Sequence, residues 1–270
     1  MRSEIDMMCD EQTGFVRVLT FEAIHNFRDY GGYPVDGGGR LREGVLLRSA
    51  QHGGATGPDL DRVGQMRIAA IIDLRSDRER EVSPCRRPAD FYGRVLFIPD
   101  AVTQAAPHIE AARGVTDPET AAAHMTQGYA EMPFRPGFMA AMAQYFKALA
   151  EEEGPTLIHC MAGKDRTGIA VALFHRAMGV ERADWLADYM MTNETGNIDA
   201  RIAAGAVHVR AAFGKQLDDD TVRVLMTVRP AFIDNCFAAM DHRHGGVDGY
   251  LAACGVDDDM VAAVKARMMM

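Results

Sequence analysis

Apolar residues gather in short runs along this chain. Residues 68–74 (IAAIIDL) form a continuous apolar stretch, as a strand covered on both faces would. Val45-Leu46-Leu47-Arg48-Ser49, Val95-Leu96-Phe97-Ile98 and Thr156-Leu157-Ile158-His159 read as further strands, and residues 15–19 (FVRVL) as a weak one. Helical patterns fall between them at 58–66, at the charged segment 76–82, at 137–152 (closed by Gly154-Pro155) and at the alanine-rich 167–178. From residue 181 onward every pattern is helical: 181–192, 197–213, 219–227, 230–242, 247–253 and 257–268. Strands alternating with helices, followed by helices alone, predict an α/β fold. A central, mostly parallel sheet is flanked by helices, with a helical insertion and a helical C-terminal region.

Three stretches stand apart from this pattern. Residues 26–33 (NFRDYGGY) are polar and glycine-rich and predict a structured loop, followed by a tight turn at 36–39 (DGGG). Residues 101–135 are alanine-rich and broken by prolines at 107, 118, 133 and 136. They predict helical pieces inserted between core elements, placed to cover a site as a lid. Met268-Met269-Met270 reads as a frayed terminus. No repeat or low-complexity linker divides the chain, so residues 1–270 are expected to form one domain.

Hydrophobic residues make up 48% and charged residues 25%, the balance of a soluble globular protein. The net charge of -9 argues against a general nucleic-acid binder. A local cluster of donors could still hold a small anion. Cysteines at 9, 85, 160, 236 and 254 form no CxxC pair, which argues against a disulfide scaffold and a cysteine-rich zinc site. A reducing compartment suits that pattern. With neither a signal-peptide-like stretch near Met1–Asp10 nor an apolar run of membrane-spanning length, the expected location is the cytoplasm.

The densest chemistry lies in His159-Cys160-Met161-Ala162-Gly163-Lys164-Asp165-Arg166-Thr167-Gly168. It joins the strand at 156–159 to the helix at 167–178. A helix starting there has unpaired N–H groups and partial positive charge at its first turn, both suited to a phosphate. That field, with Arg166 and Lys164, favours thiolate over thiol at Cys160, giving a sulfur nucleophile. Arg166 offers a planar fork for two phosphate oxygens. Met161, Ala162, Gly163 and Lys164 supply the phosphate-binding loop, and the small Ala162 and Gly163 let the backbone approach the ligand. Thr167 could stabilise the departing sulfur, His159 could set the loop, and Asn26 could buttress it together with Arg28 and Asp29. A lone buried cysteine after an apolar strand is usually inert packing. A core has no use for Gly-Lys-Asp-Arg at that point, and the full run favours catalysis.

The run matches HCxxGxxR[ST], the signature of the protein tyrosine phosphatase superfamily, and its AGKDRTG form resembles the bacterial atypical tyrosine/lipid phosphatases. Residues 26–33, 46–51 (LLRSAQ), 71–79 (IIDLRSDRE) and 229–251 are similar to that group. The resemblance implies a phosphatase domain that needs no metal or other cofactor. Its partner would be a phosphorylated protein or a lipid head group: phosphotyrosine, with phosphoserine/threonine and phosphoinositides as further candidates. The proton donor is open among Asp165, Asp100, Asp73 and Asp77, with Asp165 favoured and Asp100 next. Each has a plain alternative: an ion pair for Asp165, a helix cap for Asp100, a structural acceptor for Asp73 and a solvated charge for Asp77. Two rivals to a phosphatase are a sulfurtransferase and a non-catalytic phosphate-binding module. The Arg166-Thr167 pair after a five-residue gap disfavours the first, and intact Cys160 and Arg166 disfavour the second. A nucleotide-binding P-loop fails, because Asp165 follows Gly163-Lys164 and position 158 is Ile.

Overall fold

A computed structural model describes residues 9–10, 15–99, 111–200, 202–203, 207 and 217–270. Its strands are β1 (Cys9–Asp10), β2 (Phe15–Val16), β3 (Arg28–Asp29), β4 (Leu46–Ser49), β5 (Ala70–Asp73), β6 (Arg94–Leu96) and β7 (Thr156–His159). β1 and β2 make a small antiparallel pair. The other five form one sheet in the order β3-β4-β7-β5-β6, with β4, β7, β5 and β6 parallel and β3 antiparallel at the edge. This is the mostly parallel, helix-flanked sheet that the apolar runs predict.

The apolar runs are continuous because both faces of the sheet are covered. Leu46, Ala70, Ile72 and Ile158 enter a large core cluster on one face. Their neighbours Leu47, Ile71 and Leu157 enter a smaller one, with Val63 from helix α1 (Gly57–Gln65). The same alternation continues to the strand ends. Ser49 pairs with His159, and His159 with Asp73, so three polar side chains stand in a row on the face of the smaller cluster.

Further helices with described bounds are α2 (Asp77–Val82), α3 (Pro118–Glu131), α4 (Pro136–Glu151), α5 (Asp165–Met178), α6 (Arg182–Met190), α7 (Thr192–Thr195), α8 (Asp219–Met226), α9 (Pro230–His244), α10 (Val247–Ala253) and α11 (Asp258–Met268). α5 begins two residues before the sequence-based start at 167, so Arg166 belongs to its first turn. The pattern at 181–192 divides into α6 and α7. Most of the pattern at 197–213 lies outside the described residues. Within 101–135, residues 101–110 lie outside as well. The rest carries α3, started by an Asp117–Thr120 capping box, and a 3₁₀ turn at Met132–Phe134. α3 packs on α8 and α9.

Two expectations are corrected. Residues 26–33 are not merely a loop: Arg28–Asp29 is the edge strand, and Asn26 through Tyr30 are buried. Asn26 and Arg28 can be buried because their polar groups find the partners described below, and Asp29 accepts from the Gly31 and Gly44 N–H groups. The C-terminus is not frayed. Met268 is 3% exposed, Arg42 N–H donates to Met268 O (2.7 Å), and Arg40 and Met270 exchange both backbone bonds (3.0 and 2.9 Å). No helix among the described residues is long and apolar enough to cross a membrane.

Candidate active site

Cys160 leaves the end of β7, and its side chain joins the large core cluster at 3% exposure. The chain then turns through 161–164 into α5. Gly163 has φ +62°, and a Cβ there would lie 2.4 Å from the Ser49 carbonyl oxygen. Glycine is therefore required by the close approach to β4 as much as by any ligand. Asn26 Nδ2 donates to the carbonyls of Gly163 (2.8 Å) and Ala162 (3.2 Å), and Arg48 Nη2 donates to Gly163 O (3.0 Å). In a trans peptide the N–H points away from its C=O. Holding these carbonyls from below thus turns the Gly163 and Lys164 N–H groups to the other side. Among the described residues, no backbone N–H from Met161 to Gly163 donates to a protein acceptor.

A buried polar network holds Asn26 in turn. It sits in the left-handed region (φ 58°), where its N–H donates to Thr195 O (3.0 Å). Its Oδ1 accepts from Thr195 Oγ1 (2.8 Å) and from Arg28 Nη1. Arg28 Nε and Arg48 Nη1 grip the two carboxylate oxygens of Asp188 at 3.0 and 2.5 Å, with both arginines fully buried. Burial alone would raise the Asp188 carboxyl, but the charges of Arg28 and Arg48 hold it far below the usual carboxylate range. Burial, aided by the charge of Arg48, brings Arg28 down to about 10, which leaves it cationic at neutral pH. Gly168 packs α5 against this pedestal: a Cβ there would lie 2.9 Å from the Tyr189 ring.

Arg166 is oriented by Glu79 of α2. Nη1 and Nη2 meet the two Glu79 oxygens at 2.6 and 2.7 Å, and Nη1 also donates to Leu74 O (3.0 Å). This fork-to-fork pair fixes the guanidinium plane. Against the effect of burial, Arg166 holds Glu79 below the usual range. Among the described residues, Arg166 Nε and Thr167 Oγ1 are buried without a hydrogen-bond partner. An unpartnered donor in so polar a site is a binding capacity not yet used.

The structure separates three of the four aspartates. Asp165 Oδ1 accepts from Tyr129 Oη (2.8 Å) and lies 3.2 Å from Lys164 Nζ, while Tyr189 Oη donates to Tyr129 Oη (2.9 Å). Both ties fall on Oδ1, so Oδ2 accepts no hydrogen bond among the described residues. Asp73 is bound by Arg75 through Nε (2.9 Å) and Nη2 (2.7 Å). Burial opposes its ionisation, but the hydrogen bonds and charge of Arg75 hold its carboxyl below the usual carboxylate range. A carboxylate ionised to that degree has no proton to give at neutral pH. Asp77 pairs with Arg80 on α2. Asp100 lies outside the described residues.

One supporting residue stands elsewhere than the sequence suggests, and another makes its expected local contact from the far face of the sheet. Lys164, expected against the phosphate, is 1% exposed and donates to Leu225 O (2.5 Å) and Thr227 O (3.4 Å). The carbonyls at the end of α8 take its ammonium, so it ties the loop to the C-terminal helices. His159 points away from Cys160 to the opposite sheet face. Its Nδ1 lies 3.2 Å from Cys160 O, and its ring stacks on His52 at 5.8 Å. Burial lowers the His159 imidazole below its ordinary value.

Glu79, Arg48, Asp188 and Tyr129 were not singled out by sequence. An arginine inside the apolar run Leu46-Leu47-Arg48 is a legible signal of a buried ion pair. Glu79 shares a charged turn with Asp77 and Glu81, and nothing local marks it out. Asp188 and Tyr129 lie on ordinary helical patterns.

The sheet thus carries one cysteine-to-arginine loop that runs from the end of β7 into the first turn of α5. The chain matches the tyrosine phosphatase family over residues 19–270 and belongs to that family. A Cupriavidus necator relative, whose name places it among the tyrosine-protein phosphatases, is 32% identical over 86% of this chain and 82% of its own length. The Mycobacterium tuberculosis triple specificity protein phosphatase PtpB is 27% identical over 90% of this chain and 96% of its own. A tyrosine-protein phosphatase of Nostoc commune is 26% identical over 83% and 74%. The protein is thus a phosphoric monoester hydrolase with a phosphorylated substrate.

Proposed function

We propose that this hydrolase works through a phosphocysteine on Cys160. The observation that carries this reading is the set of unspent donors around the loop: the N–H groups of 161–163, Arg166 Nε and Thr167 Oγ1. The phosphoryl oxygens would take the loop amides and Arg166, whose plane Glu79 holds before the substrate arrives. The sulfur attacks phosphorus, a P–S bond forms and the P–O bond to the leaving group breaks. We assign the proton for the leaving oxygen to Asp165 Oδ2, the oxygen without a hydrogen bond. Water then attacks phosphorus, Asp165 takes its proton, the P–S bond breaks and Thr167 Oγ1 donates to the departing sulfur. Asn26, Arg28, Arg48 and Asp188 act as positioning residues beneath the loop.

The substrate class in this reading is phosphotyrosine, extending to phosphoserine/threonine and phosphoinositides. The triple-specificity name of the mycobacterial relative supports that breadth. The test is hydrolysis of p-nitrophenyl phosphate in the presence of a chelator. Cys160→Ser should lower kcat on the order of 10⁴-fold or more while phosphate still binds. Near-normal turnover by the serine variant would overturn the mechanism. Asp165→Asn should lose activity chiefly on esters with poor leaving groups. The same loss from Asp100→Asn, with Asp165→Asn unaffected, would move the acid to Asp100.

A further inference from the structure

The row of polar side chains on the far face of the sheet has no part in this mechanism. His159 and Asp73 are adjacent in register at the ends of β7 and β5, and Cys85 comes up to them from the segment after α2. His159 Nε2 lies 3.8 Å from Asp73 Oδ2, and one ligand-type atom from each of the three residues lies within 4.8 Å of the others. Asp73 and His159 are each 2% exposed and Cys85 is half-buried, so the cluster is enclosed but reachable from the Cys85 side.

The hydrogen bonds make this arrangement unusual. His159 Nδ1 faces the carbonyl of Cys160, which can only accept, so the ring proton belongs on Nδ1. Nε2 therefore presents a lone pair, and its nearest charged neighbour is a carboxylate oxygen. Among the described residues no hydrogen bond reaches Nε2. Cys85 Sγ accepts the His52 backbone N–H at 3.2 Å, as a metal-binding sulfur commonly does. Three electron-pair donors thus converge with no proton assigned between the nitrogen and the oxygen.

We propose that Cys85, His159 and Asp73 form a binding site for a zinc-class divalent cation. Sulfur, imidazole nitrogen and carboxylate oxygen are the ligand types that such an ion takes, and three protein ligands leave a fourth position for water. The contacts around the ligands support this. His159 Nδ1–H on a backbone carbonyl is the usual way to orient a metal-binding imidazole, and Arg75 fixes the Asp73 carboxylate while leaving lone pairs on Oδ2. Arg75 also adds positive charge beside the site, which limits affinity and makes the ion exchangeable. Binding places the ion between Nε2, Oδ2 and Sγ and releases the Cys85 proton to solvent. The site lies on the opposite sheet face from the Cys160 side chain, and the proposal does not depend on the phosphocysteine mechanism.

The test uses the full chain carrying Cys160→Ser, so that the reactive sulfur cannot itself hold metal. Titrated with cobalt(II), this protein should take up one equivalent and develop the near-ultraviolet sulfur-to-cobalt band of a tetrahedral site. Zinc should displace the cobalt. Adding Cys85→Ser should remove the band and weaken binding by more than about tenfold. A band that survives Cys85→Ser, or no uptake of one equivalent by the Cys160→Ser protein, overturns the proposal. X-ray absorption of bound zinc needs no second variant: one sulfur among nitrogen and oxygen neighbours is expected, and an all-nitrogen/oxygen shell refutes the site.

Discussion

His159 and Cys160 are adjacent in sequence and serve opposite faces of one sheet. On the Cys160 side the surroundings are donors: loop amides turned away from their tethered carbonyls, Arg166 Nε and Thr167 Oγ1. On the His159 side three acceptors converge beside the Arg75 guanidinium: the Asp73 carboxylate, the Nε2 lone pair and the Cys85 sulfur. One side is built to receive an anion and the other can receive a cation. The alternation of side chains at a strand end allows this, because one residue's advance reverses the face. The comparison also separates two kinds of cysteine. Cys160 opens onto a helix N-terminus, whereas burial pushes the Cys85 thiol up and its neighbours include Asp73.

If the donor side depends on a preset guanidinium plane, Arg166→Lys should produce the largest loss among the following variants. Lysine keeps the charge but has neither the fork that Glu79 grips nor a planar pair of donors for phosphate. A fall in kcat of about 10³-fold is expected in steady-state assays, with folding unchanged by circular dichroism. A lysine variant within about tenfold of the parent would reduce the arginine to a point charge.

Glu79→Gln tests orientation alone. Arg166 stays, but its ionic partner does not. A drop in kcat of about 10- to 100-fold is expected, with KM for p-nitrophenyl phosphate little changed. The pH dependence carries a sign. The Glu79 carboxyl is depressed in the folded protein, so its stabilising pair is fully present above the ordinary carboxylate range. The contribution is lost only as pH falls through the folded value. Chemical denaturation of parent and variant should therefore converge toward acid pH and diverge toward neutrality.

Asp188→Asn moves from the loop to its pedestal. It removes the anion between the fully buried Arg28 and Arg48. Leaving buried cations without compensation costs about 3–5 kcal/mol, so urea unfolding should shift to markedly lower concentration. Activity per folded molecule should fall less than with Arg166→Lys, because Asn26 still holds the loop carbonyls.

The sequence made the donor side legible and the pedestal obscure, for physical reasons. Cys160 through Gly168 is one contiguous run whose residue types make sense only around an anion, so no tertiary knowledge was needed. The sheet was legible because both of its faces are covered, which leaves unbroken apolar runs such as residues 68–72. The Asn26–Asp29 segment looked like a loop because its polarity is local while its partners are remote: Asp188 lies 160 residues from Arg28 and Thr195 lies 169 from Asn26. Lys164 misled for the same reason, since the carbonyls that take it belong to Leu225 and Thr227. Met269 and Met270 offered no pattern at all, and Met270 is held by its backbone pairing with Arg40.

The smallest effect is the one that most directly tests the separation of the two faces. Cys85→Ser, assayed with chelator present, should leave kcat and KM on p-nitrophenyl phosphate within about twofold of the parent, since surface and half-buried exchanges that keep volume seldom cost more than about 0.5 kcal/mol. Serine is close in size, and its oxygen can still accept the His52 N–H that now reaches Cys85 Sγ at 3.2 Å. The Ser49–His159–Asp73 row should keep its strand pairing, because that register comes from β4, β7 and β5 and not from Cys85. With zinc added in place of chelator, parent and variant should diverge if the ion bound at His159 disturbs the adjacent Cys160, and behave alike if the two faces are insulated. A large loss in chelator would mean something different. Cys85 would then act on the reacting side through His159, and the back-to-back separation of anion and cation sites would fail.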